Sequence, residues 1–312
     1  MIHIETGQRI GPYEVIGFLG RGAFAQVFAA EDSKGKTIAL KIGDESGGGR
    51  YLSRFGEVTG ERSPERISPD ETPAEALFLD PVEGGQAEVL DNHEVDELLR
   101  GEANKLRAAE GEGVVALREV LEVEGRPVLA MELLKGSTLR EKIRSLEGVK
   151  LRWLVEAARI VEHHVESGHW DCHGDLKPEN LFITENDQVR VLDPVPSSDR
   201  SDFLVGTPHY NPFLRHDSKG DAQALAIMVY ELLCGALPFD QAPWEFAGTD
   251  DSAIDSDERE MSLSFFLGYP RPRELNPRAP RELEQAVYLA LCDENFGLSD
   301  LRRAMEDFLL RC

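Results

Sequence analysis

The sequence predicts an α+β chain of two lobes, because strand-like segments dominate its first part and helix-like segments the rest, without alternation of the two. Three observations carry that expectation. Residues 13–42 contain three short runs rich in β-branched and aromatic residues, YEVIGFLG, AQVFAAE and KTIALKI, separated by glycines. Residues 94–109 set Val95, Leu98, Leu99, Leu106 and Ala109 at three-to-four spacing, the period of a helix with one buried stripe. Beyond Lys135, WLVEAARIVEHHV and DAQALAIMVYELLC read as long helices, and strand signal is confined to LFIT and VRVLD.

Taken in order, the first three runs read as strand, turn, strand, turn, strand. Residues 43–93 break the pattern with Gly47, Gly48, Gly49, Pro64, Pro69, Pro73 and Pro81 among many charges. They read as an insertion, partly disordered or forming a small hairpin, with one apolar patch in AEALFLD. After the helix come two more strands, in GVVALREVLEV and RPVLAMEL. The first lobe is therefore expected over 1–134 and the second over 135–312, with the acidic run 240–260 as a solvated loop.

The 312 residues carry 34 Lys and Arg against 58 Asp and Glu, a formal net charge of −24. Such a chain repels phosphate backbones and anionic lipid surfaces, so nucleic-acid and membrane partners are excluded at this stage. Its acidity favours basic protein substrates or simple solubility. The start MIHIETGQRI has no apolar run behind a basic stretch, and no segment approaches the roughly 18 apolar residues of a membrane helix, so a cytoplasmic chain is expected. Cys172, Cys234, Cys292 and Cys312 are far apart and suggest neither a zinc site nor a disulfide framework.

Three sites carry chemistry. In GRGAFAQV, Gly20 and Gly22 lie in a turn between two strands, where a backbone without side chains can come close to phosphate oxygens. Next, strand alternation in TIALKI puts Ile38, Leu40 and Ile42 on one face and Ala39 with Lys41 on the other. Glu102 falls on the apolar stripe of the 94–109 helix, seven residues after Val95 and four before Leu106. A carboxylate buried without a cation is expensive, and Lys41 is the natural partner. The third site is HGDLKPEN followed by VRVLD: Asp175, Lys177, Asn180 and Asp193 are interleaved with short apolar strands. Asn180 and Asp193 suit a hard cation, and a second carboxylate and a lysine beside them make a magnesium and phosphate site.

These residues, with GTPHY and DAQALAIMVYELLCGALPF in the same order, resemble the eukaryotic-like (Hanks-type) protein kinases, of the serine/threonine-directed bacterial type. The resemblance runs from about Tyr13 onward, the 43–93 insertion excepted. It implies the bilobal kinase fold with ATP and magnesium between the lobes, and a protein substrate. By that resemblance Gly20 and Gly22 cover the phosphates, and Lys41, paired with Glu102, holds the α and β phosphates. Val27 and Ala39 lie above the adenine and Phe182 beneath it. Met131 is the gatekeeper, while the Glu132 carbonyl and the Leu134 N–H address the adenine edge. Asp175 accepts the substrate hydroxyl proton, Lys177 steadies the transferring group, Asn180 and Asp193 hold magnesium, and Asp221, opening its helix, braces the catalytic loop.

Several positions depart from the family's pattern. The third glycine is Ala25. Gly174 replaces the arginine that reads a phosphorylated activation loop, so control through loop hydroxyls such as Ser197, Ser198, Ser201 or Thr207 is not expected. Pro194 and Val195 replace Phe and Gly after Asp193, which restricts rotation of that segment and biases it toward one conformation. Phe213 and Gly297 stand where the family places a Glu and an Arg that pair; losing both can be nearly neutral, so a relaxed but folded second lobe is expected. Two other functions stay open: a nucleotide-binding pseudokinase acting as scaffold or switch, with the 43–93 insertion as partner-docking element, and a small-molecule phosphotransferase, since HGD also occurs there.

Overall fold

A strand forms where alternate residues can be buried, and Ile38, Leu40 and Ile42 do so completely enough to anchor the first sheet. The computed structural model describes residues 4–22, 24–44, 50–52, 87–89, 91–145, 148–196, 207, 209–212, 215–238 and 268–311. Its first lobe holds β1 (Arg9–Ile10), β2 (Tyr13–Arg21), β3 (Ala25–Glu31), β4 (Thr37–Gly43), β7 (Leu117–Val123) and β8 (Arg126–Glu132), paired antiparallel in the order β1-β2-β3-β4-β8-β7. Ile38, Leu40 and Ile42 pack on one face with Val15, Phe28, Val128 and Ala130. Ala39 lies on the other face, in the main core with Leu99, Ala103 and Leu106.

That second face is covered by α1 (Asn92–Ala109), whose buried stripe includes Val95, Leu98, Leu99, Glu102 and Leu106. The helix starts two residues earlier than its apolar period indicates. Asp91 accepts the Glu94 N–H and the Glu94 carboxylate accepts the Asp91 N–H, a capping box that satisfies the first-turn donors. From the insertion, β5 (Arg50–Leu52) pairs antiparallel with β6 (Ala87–Val89). Residues 53–86, with the AEALFLD patch, lie outside the described residues, as do the 240–260 run and Ser197, Ser198 and Ser201.

The second lobe opens on β9 (Gly136–Thr138), a strand too short to show in the sequence pattern. It pairs with β10 (Leu181–Thr184), and β10 with β11 (Val189–Val191). Helices α2 (Leu139–Arg144), α3 (Leu151–Glu166), α4 (Ser218–Cys234), α5 (Pro272–Leu275), α6 (Arg281–Cys292) and α7 (Leu298–Leu309) build the rest. Every residue of α4 from 219 to 231 is buried, which is why the ALAIMVY stretch within it carries no charged face. Asp217 caps α4 by accepting the Gly220 N–H at 2.8 Å, and Asp221 lies in the first turn that follows. The architecture is the bilobal α+β arrangement expected. No helix among the described residues is long and apolar enough to cross a membrane.

Candidate active site

The face of β4 that carries Ala39 also presents Lys41, because residues two apart on a strand point the same way. Lys41 and Glu102 are 4% and 2% exposed, and the Lys41 ammonium lies 2.9 and 2.7 Å from the two Glu102 oxygens. It also lies 2.9 Å from Asp193 Oδ1. One ammonium thus serves two carboxylates, each delivered by a different element. Burial opposes the Lys41 charge, but the facing Asp193 and Glu102 carboxylates outweigh it and hold Lys41 above the ordinary lysine range. Burial pushes Glu102 up to about 7 against the pull of Lys41. At Asp193 the lysine outweighs desolvation and keeps the carboxyl below its usual value.

Above this triad the turn between β2 and β3 is closed by the Gly22 N–H bonded to the Ala25 carbonyl at 2.7 Å. Gly20, the residue before the last of β2, lies opposite Val27, and a Cβ placed on it would meet no atom within 4 Å. Asp44, which sequence inspection missed, accepts from the Arg21 guanidinium at 3.0 and 3.1 Å and from the Gln26 amide at 2.6 Å, bracing both sides of the turn. Phe24 stands 5.3 Å from Lys41 and packs on Val95, Leu98 and Val195. This small cluster joins the turn, α1 and the segment after Asp193. Pro196 continues it: a Cβ on Gly101 would come within 2.3 Å of the Pro196 Cβ, so the helix reaches that segment only because residue 101 is glycine. On the opposite edge Met131 is buried and pairs with Ala39, Glu132 pairs with Ile38, and Leu134 is half-buried beside them. Phe182, half-buried on β10, pairs with Thr138 and Arg190.

The catalytic-loop candidates come from a segment held at its backbone. Asp221 accepts the N–H groups of His173 and Gly174 at 2.7 and 2.9 Å. Burial pushes its carboxyl up to about 6 against those bonds, which still leaves it ionised at neutral pH. The His173 ring takes the Asp175 N–H on Nδ1 at 3.2 Å, which requires Nε2 to carry the proton that reaches the Leu192 carbonyl at 2.8 Å. Burial lowers its pKa to about 4. We expect NMR titration to find this imidazole neutral and Nε2-protonated down to pH 5. Because its folded value lies below the unfolded 6.5, it stabilises the fold fully above 6.5 and loses about 3 kcal/mol as pH falls to 4. Titration near 6.5 would refute the assignment.

Asp175 is 8% exposed. Its Oδ2 lies 2.7 Å from Lys177 Nζ and 3.2 Å from Asn180 Nδ2, and its Oδ1 has no donor among the described residues. Asn180 gives its amide N–H to the Asp175 carbonyl at 2.8 Å, which leaves its own carbonyl as the acceptor for a cation. Lys177 Nζ also reaches the Thr207 hydroxyl at 2.6 Å. Thr207, read from sequence as a loop hydroxyl, therefore belongs to the site.

Among the described residues no three His, Cys, Asp or Glu side chains gather to form a protein-only metal cage. Asn180 and Asp193 still fit a magnesium ion, which keeps several waters and takes its remaining ligands from phosphate. The open space at Gly20 and the Lys41 ammonium fit the phosphates themselves.

A family model described as protein kinase domain matches residues 87–277. The chain belongs to the protein kinase family. The kinase is 23% identical over 299 residues to serine/threonine-protein kinase PknD of Mycobacterium tuberculosis, covering 91% of this chain and 37% of that protein. It is 28% identical over 257 residues to CBL-interacting protein kinase 16 of Oryza sativa, covering 76% of this chain and 46% of that one. The chain thus spans less than half the length of these relatives. In fold it matches the PknI kinase domain of Mycobacterium tuberculosis, with a TM-score of 0.60 at 16% identity over 98% of this chain and 99% of that one.

Two departures from the family pattern acquire a physical account in this kinase. Gly174 has φ +90°, and a Cβ there would stand 3.2 Å from the Val195 Cβ. A Gly174→Arg variant is expected to lose about 1–3 kcal/mol in thermal unfolding, from forcing a side chain onto a left-handed backbone. After Asp193, itself at φ 53°, the Val195 N–H bonds the His173 carbonyl at 2.9 Å, so the Pro194 segment holds Asp193 toward Lys41. Phe213 lies outside the described residues, and an ion pair of the opposite polarity forms close to it in sequence. Arg215, clamped by Asn211 through two 2.8 Å bonds, reaches Glu294 at 2.9 and 3.1 Å. Lys219 adds bonds to the carbonyls of Ala290, Asp293 and Phe296 at 2.6–3.0 Å.

Proposed function

We propose that this kinase binds ATP with magnesium between its lobes and transfers the γ-phosphoryl group to a Ser or Thr hydroxyl of a protein. The observation that carries the proposal is Asp175 Oδ1, a buried carboxylate oxygen without a donor among the described residues, beside an ammonium and an amide that hold the other oxygen. Such an oxygen is placed to take a proton from an incoming hydroxyl. When bound, ATP with magnesium supplies the phosphoryl group and the cationic charge its oxygens require. The chain's own residues divide the remaining work. Lys41, fixed by Glu102, meets the α and β phosphates under Gly20 and Gly22, and Asn180 and Asp193 hold the metal. Val27, Ala39, Met131, Glu132, Leu134 and Phe182 frame the base. Lys177 balances the Asp175 charge and, through Thr207, ties the substrate-side loop to it.

Support for a hydroxyl on protein comes from Lys177, Thr207 and Tyr210, which a phosphotransferase for small molecules has no need to assemble. The test incubates the protein with labelled ATP, magnesium and a generic protein substrate beside an Asp175→Asn variant. Transfer well above the variant supports the reading. Equal signal from both, on itself and on every substrate, would leave a nucleotide-binding scaffold as the better account.

A further inference from the structure

Arg140, at the second position of α2, is half-buried among Glu179, Tyr210 and Glu231, none of which takes part in the phosphoryl transfer itself. Its Nε lies 2.7 Å from Glu179 Oε1 and its Nη1 2.6 Å from Glu231 Oε1, while Nη2 donates to the Tyr210 hydroxyl. Tyr210 in turn donates to Glu231 Oε2 at 2.6 Å. The Arg140 side chain is 16% exposed and that of Glu231 10%, but that of Glu179 is 43% exposed and forms the outer lip. Burial opposes the Arg140 charge, and the bond to Glu231 and the neighbouring acids more than offset it.

The position of this pocket gives it meaning. Glu179 lies two residues after Lys177 in the 3-10 turn Pro178–Asn180, on the loop that carries Asp175. Tyr210 lies three residues after Thr207, and its N–H bonds the Thr207 carbonyl at 2.9 Å. Both walls therefore continue directly from the Lys177–Thr207 contact, where a substrate hydroxyl must arrive. Two carboxylates and a phenol there form a site of the shape and charge that takes a guanidinium through several directed bonds. In this chain the site is already filled from within.

We propose that Arg140 is a specificity-determining residue: it occupies the acidic pocket beside the catalytic loop and denies it to arginine or lysine side chains of the substrate. The proposal rests on the kinase reading above and reverses the preference for basic substrates that the charge of −24 suggested. An incoming cation would meet the Arg140 charge and find Glu231 and Tyr210 engaged. Only Glu179 Oε2, itself buried and without a donor among the described residues, is left unengaged.

The experiment compares fluorescent peptides with one serine, flanked by glutamine throughout or with a single arginine scanned through the flanking positions. Affinity is read by anisotropy and turnover by kcat/KM. The parent protein is expected to favour no arginine peptide over the glutamine peptide by more than threefold. Arg140→Ala is expected to favour one arginine position at least tenfold, and millimolar ethylguanidinium should abolish that gain and raise the melting temperature of the variant but not of the parent. If Arg140→Ala fails to fold, Arg140→Ala with Glu231→Gln removes charge from both sides and should still gain at least threefold through Glu179. A tenfold arginine preference in the parent, or an unchanged ratio in the folded variant, would overturn the proposal. Because affinity is read without turnover, discrimination by an inactive protein would count against the kinase reading alone.

Discussion

Asp175→Asn is expected to fold and to bind ATP as the parent does, while phosphoryl transfer falls by about 10²–10⁴-fold, the usual contribution of a positioned general base. The substitution keeps the shape of the side chain. It also keeps the bond from the Asn180 amide to the residue 175 carbonyl and those from the His173 and Gly174 N–H groups to Asp221. What it removes is the oxygen that can take a proton, Oδ1, and the charge that faces Lys177 at 2.7 Å. Melting temperature and nucleotide affinity should move little. A variant that kept more than a tenth of the parental rate would show that the proton goes elsewhere.

Lys41→Ala should behave in the opposite way, losing stability as well as activity. It leaves Glu102, 2% exposed, and Asp193 without their shared cation, and stranding a buried carboxylate costs about 3–5 kcal/mol. The sign of its pH dependence follows from Glu102. Burial already holds that carboxyl above its ordinary 4.5, and loss of the ammonium drives it higher. A group whose folded value is raised favours folding below its unfolded value and loses that advantage as pH rises. The deficit in urea unfolding should therefore be largest at pH 8 and shrink toward pH 5. Adding Glu102→Leu to Lys41→Ala should restore much of the stability without restoring transfer, since it removes the buried charge and leaves only Asp193, whose side chain is 47% exposed, without the lysine. If Lys41→Ala were as stable as the parent at pH 8, the pair would not be the buried contact described.

Much of this was readable in advance because it depends on local periods. Lys41 shares a face with Ala39 through strand alternation, and Glu102 falls on a stripe with Val95 and Leu106 through the helical period. The need to neutralise a buried carboxylate then joins the two. The order of Asp175, Lys177, Asn180 and Asp193 is likewise short-range, held within nineteen residues by two strands and a turn. The strand Gly136–Thr138 escaped notice because three residues carry no period. Asp44 escaped because its role is to accept from Arg21 and Gln26 across a turn, and an acidic residue after a strand looks like any other.

Other features have no local signature at all. Arg140 meets Glu231 across 91 positions, and Arg215 meets Glu294 across 79. Nothing in either neighbourhood distinguishes these residues from solvated surface charges. The sequence by itself determined the lobes, the strand that carries Lys41, the helix that carries Glu102 and the set of residues that could meet a nucleotide and its metal. Periodicity and motif spacing are properties of a few adjacent residues, so they survive without coordinates. Only the tertiary structure decided that Asp193 faces Lys41 and that the acids beside the catalytic loop are closed by an arginine of the same chain. Each of those is a distance between side chains on separate elements, and charge attraction falls off with a separation that no linear pattern records.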